Sequence, residues 1–150
     1  MIVTAFTLAQ RYVGIHEMAG DTLDHPLIQW WLSLCDLGFG IPDETPWCSA
    51  FINGIAWELS LPRSKSAAAR SWLRVGERVV TVDAQVGWDI VVLARSPSPW
   101  AGHVGFFAGW EGGSVLLLGG NQSDGVNIAP YEESRILAVQ RLYPLPSVIP

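Results

Sequence analysis

Basic residues are scarce in this sequence: 9 Lys and Arg stand against 14 Asp and Glu, for a formal net charge of −5 and a pI near 5.0. No run of Lys or Arg supplies the basic patch that nonspecific attachment to nucleic acid or to an anionic membrane surface requires, so neither is an expected partner. Cysteine is scarce too, with only Cys35 and Cys48. A small scaffold stapled by disulfides carries more, which leaves two thiols with separate jobs. No apolar stretch approaches the ~20 residues needed to span a bilayer, and no membrane insertion is expected. The N-terminal MIVTAFTLAQRYVG lacks the basic start of a secretory signal. It spaces Phe6, Leu8, Ala9, Tyr12 and Val13 as an amphipathic helix does, so the chain is expected to be made in the cytoplasm without a signal peptide. His, Cys, Asp and Glu do not recur at metal-ligand spacing, so neither a metal nor another cofactor is expected.

What the chain does have is apolar material: 49% hydrophobic residues with 8 Trp against 15% charged in 150 residues. That composition suits one core, and residues 1–150 read as a single monomeric domain. The first half is helical in pattern. After the first helix, HPLIQWWLSLCDLGFG offers Leu27, Trp30, Trp31, Leu34 and Leu37 as a stripe. CSAFINGIAWELS repeats Phe51, Ile55 and Leu59 every fourth residue before Pro62, and SKSAAARSWLRVG reads as a short fourth helix capped by Ser64 or Ser66 and stopped near Gly76. The second half turns β-branched: RVVTV, DIVVLA, HVGFFA, SVLLLGG and ILAVQRL predict five strands. This order predicts an α+β fold, N-terminal helices packed on a C-terminal antiparallel sheet. GWEGG reads as a five-residue hairpin connection that pairs Ala108 with Ser114 and His103 with Gly119.

Cys48 opens the best-defined helix. A helix N-terminus lowers a thiol pKa, and the thiolate is the nucleophile in acyl transfer. A base must stand beside it. His16 lies at the end of the first helix and His25 precedes a proline, whereas His103 starts a strand and is flanked by Gly102 and Gly105, which leave room at its ring. A third group should hold the imidazole tautomer, and the five-residue connection places Asn121 on His103's face as a diagonal neighbour. A one-residue slip would bring Gln122 there instead. Cys35, inside an apolar stripe, reads as core. Asp43 and Glu44 precede the nucleophile helix, where solvated or capping roles are the ordinary ones and Glu44 is a candidate substrate contact. Trp47, Trp100 and Trp110 are candidate groove walls, with Trp47 and Gln122 nearest the site, although buried Trp is usually core. Arg63, Lys65, Arg70 and Arg74 read as a solvated face.

The segments DETPWCSAF, GHVGFF and LGGNQSDGVNI, with AQRYVGIHEMAG and HPLIQWWL upstream, resemble the small phage-type wall hydrolases allied to the CHAP and NlpC-like cysteine peptidases. The resemblance covers most of the chain. It implies a papain-like fold, a Cys48, His103, Asn121 triad, and peptidoglycan as substrate, cut as an endopeptidase or as an N-acetylmuramoyl-L-alanine amidase. A phage endolysin released through a holin pore fits this picture. The alternatives are a secreted antibacterial amidase effector and a catalytically silent phage structural or wall-binding module. The acidic calcium loop of many CHAP domains does not precede Cys48, and Trp88 stands where relatives tend to have Gly before the strand Asp.

Overall fold

Short capped segments with apolar faces come first in the chain, and β-branched runs cut by Gly, Pro and Asn follow. In the computed structural model, which describes residues 3–18, 25–36, 46–95 and 97–143, the helices are α1 (Ala5–Gln10), α2 (Pro26–Ser33) and α3 (Cys48–Glu58). The strands are β1 (Glu77–Val79), β2 (Asp89–Arg95), β3 (Ser98–Glu111), β4 (Ser114–Gln122), β5 (Gly125–Glu132) and β6 (Ile136–Arg141). They form one sheet in the order β1-β6-β2-β3-β4-β5, with every neighbouring pair antiparallel. The protein is α+β, as the order of residue types predicts. Among the described residues no helix is long and apolar enough to cross a membrane.

Local chemistry sets the helix ends. The Thr4 hydroxyl accepts from the Thr7 N–H at 3.1 Å while the Thr7 hydroxyl accepts from the Thr4 N–H at 2.8 Å, a reciprocal cap on α1. His25 Nδ1 accepts from the Leu27 N–H at 3.1 Å, with Pro26 in the first turn of α2. Helix α3 has no side-chain cap, and every residue from Cys48 to Ala56 is buried. Its two interior polar side chains are satisfied. The Ser49 hydroxyl donates to Ser66 O at 2.6 Å and accepts from Trp72 Nε1 at 2.8 Å; Asn53 donates to Ser49 O at 3.1 Å and accepts from the Lys65 N–H at 3.0 Å. These bonds tie the 64–66 loop to α3 and leave its serines no helix to cap, so the expected fourth helix shrinks to a 3-10 segment, Ala69–Arg74, whose start lacks a side-chain cap. Ser60, at φ 56°, ends α3 together with a Leu61 N–H bond to Ala56 O at 2.9 Å.

Alternation along the strands gives the sheet two apolar faces. Ile90, Val92, Val104, Phe106 and Leu118 join Phe51, Ile52 and Ile55 of α3 in the main core. Val91, Leu93, Phe107, Val115, Leu117 and Val139 form a smaller cluster on the other face. Six strands replace the expected five. The addition is β5, whose Pro130 and alternately exposed residues argue against a central strand but suit the sheet edge it occupies.

The β3–β4 register also departs from expectation. The turn is two residues, Gly112 and Gly113, with Glu111 opposite Ser114 and Gly112 at φ 59°. A bulge between Phe107 and Gly109 then resets the ladder to Phe107↔Leu117 and Phe106↔Leu118. Ala108↔Ser114 and His103↔Gly119 are not formed. Up to Phe107 the two irregularities together displace the partner by two places, so His103 and the residues on its side of the bulge keep the face assigned to them from sequence, whereas Gly109–Glu111 beyond the bulge do not.

Candidate active site

Past Phe106↔Leu118 the two strands no longer pair, and the start of α3 fills the space beside them. A Cβ on Gly120 would lie 2.5 Å from the Trp47 ring and 2.9 Å from Phe51 Cβ, so only glycine lets β4 pass so close to the helix. Cys48, 5% exposed, occupies the first position of α3. The backbone of Val104, the residue after His103, favours the thiolate form of this buried sulfur. His103, 4% exposed, pairs with Leu93 across β2.

The hydrogen bond expected from Asn121 is made by Gln122: its Oε1 lies 2.9 Å from His103 Nε2. The cause lies beyond the hairpin. Asn121 adopts φ 58°, a left-handed conformation that asparagine tolerates, and the β4–β5 ladder shifts between Gly119 and Gln122. That one residue breaks the alternation and hands its neighbour the place Asn121 would have held. Ser123 and Asp124, at φ 50° and 62°, then form the two-residue turn into β5. Asn121 stays on the rim of the same cleft.

The network around Gln122 fixes which of its ends faces the ring. Its NH2 donates to Asn127 O at 2.8 Å, to Asn127 Oδ1 at 3.0 Å and to Leu117 O at 3.2 Å. All three are acceptors, so the carbonyl end must turn to His103, and Nε2 must carry the proton. Tyr131 Oη lies 3.2 Å from the same nitrogen, and the rings are 5.0 Å apart. Nδ1 is left as the basic nitrogen, and among the described residues nothing hydrogen-bonds to it. Nor, among them, does a hydrogen bond join the ring to Cys48 Sγ. Gly119 makes room for the arrangement: a Cβ there would stand 2.6 Å from Gln122 Oε1.

Burial dominates the electrostatics. It lowers His103 from 6.5 to about 4, with Arg95 and Arg135 pushing the same way and the Gln122 bond opposing. It also raises the Cys48 thiol above its usual value, although backbone N–H groups of Val104, Ser49 and Cys48 itself favour the thiolate. The helix start therefore does not produce a lowered pKa: desolvation of a buried sulfur outweighs the few N–H groups near it. The resting pair is a thiol and a neutral imidazole. Because the folded His103 pKa lies below the unfolded value, its contribution to stability is complete above about pH 6.5 and is lost as pH falls toward about 4. Chemical denaturation across that window should show a loss of roughly 3 kcal/mol at most from this group. A His103→Gln variant should lack that part of the acid-side slope; an unchanged slope would contradict a buried neutral imidazole.

The remaining candidates separate clearly. Trp47 is fully buried, stacks on Trp31 at 6.0 Å and donates Nε1–H to Glu17 Oε1 at 2.7 Å. It has no surface to offer a substrate, because the close approach of β4 seals it in. Glu44 and Asp43 lie outside the described residues. Trp100 is exposed on β3, and Trp110 lines a separate depression with Thr81, Val82, Gly112 and Glu133. Cys35 is buried and, like Cys48, free. Among the described residues no three His, Cys, Asp or Glu side chains gather as metal ligands. Four residues of the cleft, Tyr131, Ser123, Arg95 and Arg135, escape sequence reasoning, since they come from strand ends and turns that only the folded sheet brings together.

No protein-family model matches the chain, and no curated protein matches it.

Proposed function

We propose that the chain is a papain-like cysteine hydrolase that cleaves an amide in the peptide part of peptidoglycan, as a phage endolysin does. The observation that carries the chemistry is the Gln122–His103 bond: it holds an imidazole in the tautomer whose free nitrogen is Nδ1, next to Val104, whose backbone favours the Cys48 thiolate. The resemblance of DETPWCSAF, GHVGFF and LGGNQSDGVNI to wall hydrolases supplies the substrate.

On attack, Nδ1 takes the Cys48 proton as sulfur adds to the scissile carbonyl carbon. Catalytic hydrogen bonds are often long in the free enzyme and tighten with substrate bound, and this step needs Sγ and Nδ1 in hydrogen-bond reach. The oxyanion is held by the Cys48 backbone N–H at the helix start, with a further donor. The intermediate collapses as the imidazolium protonates the leaving amine, and an acyl-thioester remains on Cys48. Water, deprotonated by His103, then releases the acid and restores the thiol. Gln122 Oε1 accepts from Nε2–H throughout and stabilises the imidazolium as it forms, as the third member of other triads does.

This account uses a thiol and no metal. Alkylation of Cys48 should abolish lysis of permeabilised Gram-negative cells, whereas EDTA should leave the rate within about twofold. Loss of lysis in EDTA that calcium or zinc restores would overturn it.

A further inference from the structure

The cleft beside His103 holds about 500 Å³ and is lined by Arg95, His103, Asn121, Gln122, Ser123, Tyr131 and Arg135. In a protein of net charge −5, its wall carries two guanidiniums and no carboxylate. The only ion pair among the described residues is Arg141 with Asp89, so neither Arg95 nor Arg135 is neutralised by a partner there. Arg135 is nevertheless held in place: its Nε–H donates to Ala94 O at 3.0 Å, and its guanidinium lies 5.3 Å from the centre of the Tyr131 ring. Arg95, at the end of β2, is exposed, and its side chain makes no hydrogen bond among the described residues. Both cations act on the His103 ring. Such an arrangement works against the imidazolium that catalysis must form, unless negative charge is brought in.

We propose that Arg95 and Arg135 form a carboxylate subsite that receives a free acidic group of the substrate peptide next to the scissile amide. This rests on the hydrolase reading above and names the chemistry that reading leaves open. Guanidinium forks suit a carboxylate, in two-point contact where geometry permits, and Tyr131 Oη and Ser123 Oγ offer further donors at the same wall. A bound carboxylate also offsets the two positive charges at His103, so occupation of the subsite favours the protonated ring during turnover. Within a wall stem peptide the matching group is the α-carboxylate of a γ-linked D-Glu or the free carboxylate of diaminopimelate.

The test compares two synthetic stem peptides that differ only in whether the D-Glu and diaminopimelate carboxylates are free or amidated. Wild type should cleave the free-acid peptide with at least about tenfold higher kcat/KM. Arg135→Ala and Arg95→Ala should each lose most of that preference while retaining the slower cleavage of the amidated peptide, and Arg135→Lys should recover part of it. The acidic limb of the pH profile for the free-acid peptide should also move to higher pH in the alanine variants, because each guanidinium disfavours the protonated His103 ring and its loss leaves the substrate carboxylate to stabilise that form. Equal cleavage of both peptides by wild type, or an undiminished preference in both alanine variants, would remove the subsite and leave the hydrolase reading standing. Cleavage of neither peptide or of intact wall by wild type would remove the hydrolase reading itself.

Discussion

Cys48→Ala is expected to lower wall hydrolysis by at least about 10⁴-fold, because no other group can carry the acyl intermediate once the sulfur is gone. Cys48→Ser should be nearly as damaging: an alkoxide is far harder to form than a thiolate, and a neutral imidazole with a pKa near 4 is a weak base for it. The fold should survive either change. Cys48 is buried at the first turn of α3, but its removal deletes a single heavy atom from a helix fixed along its length by Phe51, Ile52, Ile55 and the Ser49 and Asn53 bonds. A stability loss of about 1 kcal/mol is expected. Cys35→Ala is the control. Its thiol is buried and pushed up to about 11, with the Trp31 carbonyl and Asn53 amide at 3.9 Å, so the variant should lose a similar amount of stability and keep most activity. Turnover by Cys48→Ala near the wild-type rate, measured on purified wall, would end the assignment.

The second large effect belongs to Gln122. Gln122→Ala removes the acceptor that fixes the Nε2–H tautomer and leaves Asn127 O and Leu117 O without their donor. Turnover should fall by roughly 10- to 10⁴-fold, with a stability loss of about 1–3 kcal/mol for the orphaned carbonyls. Asn121→Ala should be milder in turnover, since its side chain makes no bond to the ring. Its cost should fall mainly on stability, through a left-handed backbone that alanine adopts less readily than asparagine. Gln122→Glu separates positioning from support: a carboxylate would raise the imidazole pKa and move the acidic limb of kcat/KM to higher pH, a displacement that a purely structural role would not cause. An Asn121 variant more damaging to kcat than the Gln122 variant would show that the hydrogen bond seen at His103 is not the catalytic one.

The contrast between these two neighbours marks how far the sequence can be read. Cys48 and His103 are legible because each depends on a local pattern, a helix start in one case and the glycine-flanked start of an apolar strand segment in the other. The face of His103 is legible too, because parity survives when a shorter turn and a bulge displace the register by an even number. The identity of its partner is not. It depends on one residue taking a positive φ, and Asn121 is compatible with either conformation until β5 pulls the chain into a turn. The run Asn-Gln-Ser-Asp-Gly contained a usable signal, a turn-forming cluster followed by the alternating residues of an edge strand, but Pro130 masked the strand. Trp47 was unreadable for a different reason. A tryptophan preceding the nucleophile serves equally well as groove wall or core, and only the approach of Gly120 decides between them.

The most direct test of the central claim is mass spectrometry of the soluble products released when purified Gram-negative peptidoglycan is incubated with wild type and with Cys48→Ala in parallel. The account predicts new peptide fragments bearing a carboxyl and an amine at one cleaved amide position, released by wild type and not by the variant, with the cleaved position separating amidase from endopeptidase. Intact sugar–peptide linkages with no released fragment, or the same fragments from both proteins, would contradict a cysteine-dependent wall hydrolase.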